Sequence, residues 1–454
     1  MQINDVHFIQ DVNQNTIAFF PNSKRFFKVN ENGRKIIELI LNNYNDNEIQ
    51  KSLNITKESI NKYRELLKLY VTSIPIENLN DESNKNKQLS RLVIHVANSC
   101  NLKCRYCYAN GGVYNSAENI LDYKTLDKTL EYFYNKFDKI ASLQMFGGEP
   151  LVSIPMVKYI CEKIRKDYND SEIILSIVTN GTLITDEFID IVKKYNIIVT
   201  ISYDGNELIN DMLRIYPNNS GTSKTIIENA NKLKKLTNQP STIEVTYTQF
   251  HADNNVSVLD VIKHIYDAIP NTSIHLVPAA GEDKTDFVLR NLKAVSQSVN
   301  EIFDFNIKER DNEIYYSFSL MERIISSITN KFPGSPFICD AGIGTLSVSV
   351  EGNIYPCFMF TDVENVCLGN VFDFDPLATQ ESALILNNLK EFNTKEKNDK
   401  CSSCFIKTMC SSCLGINYIQ KGDIHDLDEA TCEMYRDMAD QVIINLAKHS
   451  KTLN

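Results

Sequence analysis

Three cysteines in the spacing Cys100-x3-Cys104-x2-Cys107 follow directly on an apolar run, 92–97, that reads as a strand. Three thiolates can hold three irons of a 4Fe-4S cube, which leaves the fourth iron for a small molecule to chelate. An open iron on a reducible cluster suits catalysis rather than storage. Structural zinc is the competing use of such thiols. It takes four closed ligands, however, and no further Cys or His lies between Cys107 and Cys161.

The segment resembles the signature of the radical S-adenosylmethionine (SAM) superfamily. The resemblance implies that the amino and carboxylate groups of SAM take the open iron. One electron then cleaves the sulfonium, releasing methionine and a 5'-deoxyadenosyl radical that abstracts hydrogen from a C–H bond. Tyr106 stands where that family has an aromatic residue beside the adenine. Gly147-Gly148-Glu149-Pro150 follows the second strand; two glycines let the backbone approach a ligand, and a carboxylate can accept from an ammonium group. It matches the family's contact to the methionine amino group. Thr179-Asn180-Gly181 ends the third strand, and Ser202-Tyr203-Asp204-Gly205 ends the fourth. The interval from Ser202 to Arg214 resembles the stretch that holds the SAM carboxylate and ribose in anaerobic sulfatase-maturing enzymes, and a guanidinium fits a carboxylate in bidentate fashion. A plain Asn-Gly turn and a surface arginine are the structural alternatives.

A second set of cysteines, Cys339, Cys357, Cys401, Cys404, Cys410, Cys413 and Cys432, exceeds what one four-ligand site needs, so two metal centres are the economical reading. The spacing resembles the SPASM extension of radical SAM enzymes, which binds two auxiliary 4Fe-4S clusters. That family has three residues before the last cysteine of its C-x2-C-x5-C-x3-C run, where this chain has Ser411 and Ser412 only. The resemblance assigns Cys401, Cys404, Cys410 and Cys432 to a distal cluster and Cys339, Cys357 and Cys413 to a proximal one. Cys367 is a candidate fourth proximal ligand or a core thiol. Zinc in the C-x2-C-x5-C-x2-C run is the alternative.

The elements that must position these groups follow from periodicity. Strand-like runs at 92–97, 142–146, 173–178, 197–203, 242–248 and 273–277 alternate with helical stretches such as 123–137, 154–168 and 223–236. That is an α/β chain with six parallel units, and radical SAM enzymes characteristically have such a partial (β/α)6 barrel, its cluster loop at the C-terminal end of the first strand. The expected organisation is a winged-helix-like module at 1–78, a polar linker at 79–90, the barrel at 91–300, a helical connection at 301–335, the SPASM domain at 336–440 and a helix end or tail at 441–454. Within the module, strands are expected at 6–10, 16–20 and 25–29, followed by three helices, the second capped by Asn45 with Glu48 and the third by Thr56. Cys161 falls on the apolar stripe of a helix and reads as a buried thiol, while His95 and His275 lie on barrel strands and read as core histidines.

The 454 residues leave ample length for two or three domains, and 47 Lys+Arg against 58 Asp+Glu gives a net −11, which weighs against a nucleic-acid groove. No run approaches a membrane span, and the N-terminus lacks signal-peptide regions, so a cytoplasmic protein with no membrane partner is expected. Twelve cysteines, eleven of them in or near two groups, read as metal binding in a reducing compartment.

In sulfatase-maturing relatives an Asp follows the Tyr-Pro-Cys of the second cysteine region and accepts a proton; here the segment is Tyr355-Pro356-Cys357-Phe358. The module at 1–78 resembles the peptide-recognition element of ribosomal-peptide maturases, which binds a leader peptide as an added strand. Its rival is a DNA-binding winged helix, but ten Lys+Arg and nine Asp+Glu in residues 1–80 leave only +1. The expected function is therefore a radical SAM peptide maturase that installs a cross-link, a Cys thioether first, in a precursor peptide, fed by a flavodoxin- or ferredoxin-type electron donor. Sulfatase maturation or carbon-carbon cross-linking is the alternative within the class, and an iron-sulfur redox sensor the alternative outside it. No catalytic side chain is assigned from sequence.

Overall fold

The computed structural model describes residues 5–71, 87–114, 116–281, 286–312, 314–329 and 334–448. Most of the expected linker (79–86), the end of the module (72–78) and the end of the tail (449–454) lie outside the described residues.

All six expected barrel strands form and run parallel. They are β5 (Arg91–Ala97), β7 (Ser142–Gly147), β8 (Ile174–Thr179), β9 (Ile198–Ser202), β10 (Thr242–Tyr247) and β11 (Ser273–Pro278), neighbours in that order. Strict alternation explains their register. Leu143, Met145, Leu175, Ile177, Ile243 and Val245 are buried under the helices, whereas Gln144, Ser176, Thr200, Glu244 and His275 stand half-buried on the concave face. A parallel sheet with polar side chains on one face encloses a polar hollow. The helix expected at 154–168 is α-helical over Ile154–Glu162 and continues as a π-helical turn over Lys163–Asp167, a widening that the i, i+3, i+4 pattern does not encode. Cys161 is fully buried, as its stripe position indicates.

Two features depart from the expected boundaries. Gln88–Leu89 (β4), inside the expected linker, pairs with Lys139–Ile140 (β6). The segment expected to begin a separate cysteine domain adds two strands to the barrel sheet instead: Thr345–Val348 (β12) runs parallel to β5, and Ile354–Tyr355 (β13) pairs antiparallel with β12. Covering the otherwise open edge of β5 satisfies its backbone donors and acceptors. It also seats Cys357 two residues past β13, beside the cluster loop.

The N-terminal strands β1 (His7–Gln10), β2 (Thr16–Phe20) and β3 (Arg25–Val29) form an antiparallel sheet in the order β1-β2-β3. Helices Glu31–Leu41, Asp46–Leu53 and Lys57–Val71 follow, the second opening with the Asn45/Glu48 capping box and the third with Thr56 accepting from Ser59 N. On β2, Ala18 and Phe20 pack on these helices, while Ile17 and Phe19 join the main core, facing the C-terminal helix Glu429–Lys448. The module is therefore docked, not free. His7 bonds Asp440 at 3.0 Å, and Lys24 donates to Ser327 at 2.8 Å. Among the described residues no helix is long and apolar enough to cross a membrane.

Candidate active site

The loop after β5 carries Cys100, Cys104 and Cys107, and the turn after β7 closes against it by backbone contact. Gly148 N donates to Ala97 O at 2.8 Å and Glu149 N to Ser99 O at 2.9 Å. Gly147 has φ +135°, and a Cβ on Gly148 would collide with the Ser99 carbonyl and with Gly112 Cα, so only glycines allow this approach. The two glycines thus hold the three-cysteine loop down on the sheet.

Glu149 is buried, and its carboxylate is already oriented by protein donors. Oε1 accepts from Leu151 N at 2.9 Å and Thr179 Oγ1 at 2.7 Å, and Oε2 accepts from Asn180 N at 2.7 Å. Burial pushes its pKa up, and those three donors and the Arg214 charge oppose the shift. Of a carboxylate's roughly four acceptor positions, about one is left for a ligand. Asn180 also reaches the cluster loop: its Nδ2 donates to Asn101 Oδ1 at 2.8 Å and lies 3.7 Å from Cys100 Sγ. The Thr179-Asn180-Gly181 turn is therefore a brace between Glu149 and the cysteines.

On the other side, Arg214 Nη1 donates to the Tyr106 hydroxyl at 2.6 Å, and that hydroxyl donates to Asp204 Oδ2 at 2.5 Å. Asp204 is fully buried and accepts from Thr246 N at 3.0 Å through its other oxygen. Arg214 is 7% exposed, and its Nε has no partner. An orphaned donor on a buried guanidinium is the group a ligand carboxylate would satisfy. Ser202 ends β9 opposite Glu244 of β10, whose carboxylate burial pushes its pKa up. The Tyr106 and Asp204 contacts to Arg214 were not legible in the motifs; only the Asp of Ser-Tyr-Asp-Gly hinted at them.

The three thiols of the loop lie close enough that charge on one opposes ionisation of the next. Burial pushes Cys100 up to about 12 and Cys104 up to about 11, with the Arg214 guanidinium opposing the rise at Cys104. Thiolates here need a cation in place of their protons, which is what an iron-sulfur cube supplies.

The C-terminal cysteines separate into two groups. Charges on Cys413 and Cys339 oppose ionisation of Cys357, which burial pushes up to about 12, and Cys339 is pushed up to about 12 in the same way. Asn393 clamps this group: its Oδ1 accepts from Cys339 N at 3.0 Å and its Nδ2 donates to Cys339 O at 2.8 Å. Cys401, Cys404, Cys410 and Cys432 form the other group, each of Cys401, Cys410 and Cys432 feeling charge on its neighbours after the larger effect of burial. Cys367 packs on the same small core as Cys339 and Cys357. Its Sγ lies 3.8 Å from Gly369 O, beside the Tyr355 hydroxyl. Among the described residues no three His, Cys, Asp or Glu side chains close on a single metal ion.

Between the loop and Cys357 the mouth is aromatic. Phe358 packs on Phe146 with ring centres 4.5 Å apart, and His95 stands edge-on to Phe146 and Tyr114. Tyr108 and Tyr114 each feel charge on both Cys107 and Cys357, so they lie between the two cysteine groups. His95 Nε2 bonds Thr361 Oγ1 at 3.1 Å, and His275 Nδ1 bonds Ser319 Oγ at 2.6 Å; Nδ1 of His95 has no partner.

Residues 94–265 match the profile of the Radical SAM superfamily. The chain carries a radical SAM domain over these residues, and that family implies a 4Fe-4S cluster and SAM as cofactors. Its sequence is 24% identical over 368 residues to the radical SAM cyclopropyl synthase TigE of Paramaledivibacter caminithermalis, covering 77% of this chain and 73% of that one. It is 24% identical over 383 residues to the cysteine-type anaerobic sulfatase-maturating enzyme of Clostridium novyi, covering 81% and 98%. Among solved structures, anSMEcpe with bound AdoMet superposes with TM-score 0.65 at 20% identity over 79% of this chain and 100% of that one. Streptococcus suis SuiB bound to precursor peptide SuiA gives 0.56 at 17% over 95% and 99%.

Proposed function

We propose that this chain is a peptide maturase that cross-links a ribosomally made, cysteine-rich precursor, joining a Cys sulfur to a carbon of the same peptide. The observation that carries this reading is the pairing of two cysteine groups across one barrel mouth, Cys100, Cys104 and Cys107 on one side and Cys339, Cys357 and Cys413 on the other. SuiB, solved with its precursor peptide, supports a peptide substrate.

The three-cysteine loop would hold the SAM-binding cluster, with Glu149 accepting from the amino group of SAM and Arg214 donating to its carboxylate. Gly147, Gly148, Thr179, Asn180, Ser202 and Tyr106 complete that pocket. When bound, the cluster and SAM supply a hydrogen-abstracting carbon radical. Cys401, Cys404, Cys410 and Cys432 would hold a distal auxiliary cluster and the triad a proximal one with an open position. The peptide core would enter over Phe146 and Phe358, which exclude water and leave no proton acceptor where sulfatase-maturing enzymes keep theirs. The leader would dock on the N-terminal sheet, where β1 and β3 each lack a partner on one edge among the described residues. Net loss of two hydrogens accompanies each thioether: one carbon-bound hydrogen atom, one thiol proton and one electron leave, the electron by way of the auxiliary centres to a carrier protein.

Anaerobic co-expression with cysteine-rich open reading frames beside the gene, followed by accurate mass and thiol alkylation, tests the reading. A loss of two hydrogens with one thiol made resistant to alkylation supports it. The same mass loss with every thiol still reactive would redirect it to a carbon-carbon bond, and an aldehyde would overturn it in favour of sulfatase-type maturation.

A further inference from the structure

Lys395 is 3% exposed, and its ammonium donates to three backbone carbonyls, Ser335 O at 3.0 Å, Lys407 O at 2.7 Å and Cys410 O at 2.8 Å. Three acceptors use all three donors of the charged form; a neutral amine has two N–H bonds and would aim a lone pair at an oxygen. Two of these carbonyls belong to the loop that carries Cys404 and Cys410; burial pushes the Lys395 pKa down, and charge on Cys410, Cys401 and Cys404 opposes that shift. Other cations face the same four cysteines: Lys400 opposes the rise at Cys401, Arg323 acts on Cys410, and Arg436 acts on Cys432. Of the carboxylates nearby, Glu396 pairs with Lys407, and Glu429 pairs with Arg436 and Lys400 while still adding negative charge at Cys432. The triad Cys339, Cys357 and Cys413 is different. Arg91 is the cation felt by Cys357 and Cys413, and Asp340 adds negative charge at Cys339. In a chain of net charge −11 this is a marked asymmetry.

We propose that Lys395 is a positioning charge that holds the distal four-cysteine centre at a higher reduction potential than the proximal one, and so makes the distal centre the exit for the electron released by the peptide. The inference rests on the two-cluster reading above. An iron-sulfur centre gains a negative charge on reduction, and a buried ammonium next to it stabilises the reduced form, as net charge and hydrogen bonding do generally for such centres. The electron leaving the oxidised peptide then moves from the proximal to the distal centre and on to a one-electron carrier protein.

The test is an EPR-monitored redox titration of the full chain in a background with Cys100, Cys104 and Cys107 replaced by Ala, which isolates the auxiliary centres. Iron and sulfide near about eight per chain in that background establish two clusters; values near zero would sink the two-cluster reading before Lys395 is reached. The expected result is a midpoint of one centre moved to more negative potential in Lys395→Met and Lys395→Gln, with the other centre unmoved and Lys395→Arg close to the parent. Unchanged midpoints in both neutral variants would overturn the proposal. Loss of the distal iron in both, with retention in Lys395→Arg, would overturn it too, by assigning Lys395 to assembly.

Discussion

The hydroxyl of Tyr106 accepts from Arg214 Nη1 at 2.6 Å and donates to Asp204, whose carboxylate stands 3.9 Å from that same guanidinium nitrogen. One phenol therefore sits between a buried cation and a buried anion and keeps them from closing on each other. Arg214 in turn keeps its Nε free of protein partners.

Tyr106→Phe removes that spacer. The guanidinium is then drawn to Asp204, and the donors left for a carboxylate turn away. A hydrogen bond involving a charged group contributes about 1.5–3 kcal/mol, so SAM affinity should fall by about tenfold or more. Equilibrium binding of SAM to the anaerobically reconstituted protein checks this, with Arg214→Lys expected to lose at least as much because the planar fork is gone. Unchanged affinity in Tyr106→Phe would reduce the hydroxyl to a structural part.

Glu149 offers a sharper substitution, because its two oxygens each face a backbone N–H. In Glu149→Gln the amide nitrogen must meet either Leu151 N or Asn180 N, and no flip avoids one donor facing another. A buried donor left without an acceptor costs about 1–3 kcal/mol. The variant should melt a few degrees lower than the parent and lose the melting shift that SAM produces; retention of that shift would show that the carboxylate does not contact the ligand.

Cys367 and Cys413 separate by iron content. Cys413 is coupled to Cys339 and Cys357, whereas Cys367 lies beside Tyr355 and Gly369 O. On the three-cluster reading proposed above, Cys367→Ser should keep about twelve irons per chain, and Cys413→Ser should lose about four. Equal losses in the two variants would restore Cys367 as the fourth proximal ligand.

The barrel was legible in the sequence because each strand is an apolar run bounded by turn residues, and a strand at Ser142–Gly147 or Thr242–Tyr247 alternates cleanly enough to give its register. The cluster loop, Glu149 and Arg214 were legible because local spacing carries them. What spacing cannot carry is contact between distant segments. Thr345–Val348 is four residues long and pairs with a strand some 250 positions earlier, so nothing local marks it as an edge of the barrel. Asn393 and Lys395 stand in a polar stretch, Asn393-Thr394-Lys395-Glu396-Lys397, that reads as solvated surface, yet both are buried at the cysteines.

His95 gives a pH dependence of fixed sign. Thr361 Oγ1 donates to Phe358 O at 2.9 Å, so it accepts from His95 Nε2–H, and Nδ1 is left as a bare, buried lone pair. Complete burial holds the imidazole neutral, its pKa lowered from 6.5 to about 3. Between those values the unfolded chain binds a proton that the folded chain refuses, so this group's contribution is present above about pH 6.5 and is lost as pH falls toward about 3. From about pH 7.5 to about pH 5.5 the loss is about 1.4 kcal/mol. Urea unfolding at the two pH values, compared between the parent and His95→Leu, should show the parent losing that much more than the variant. Equal losses would mean that water or a donor reaches Nδ1 in solution and that the ring titrates near its ordinary value.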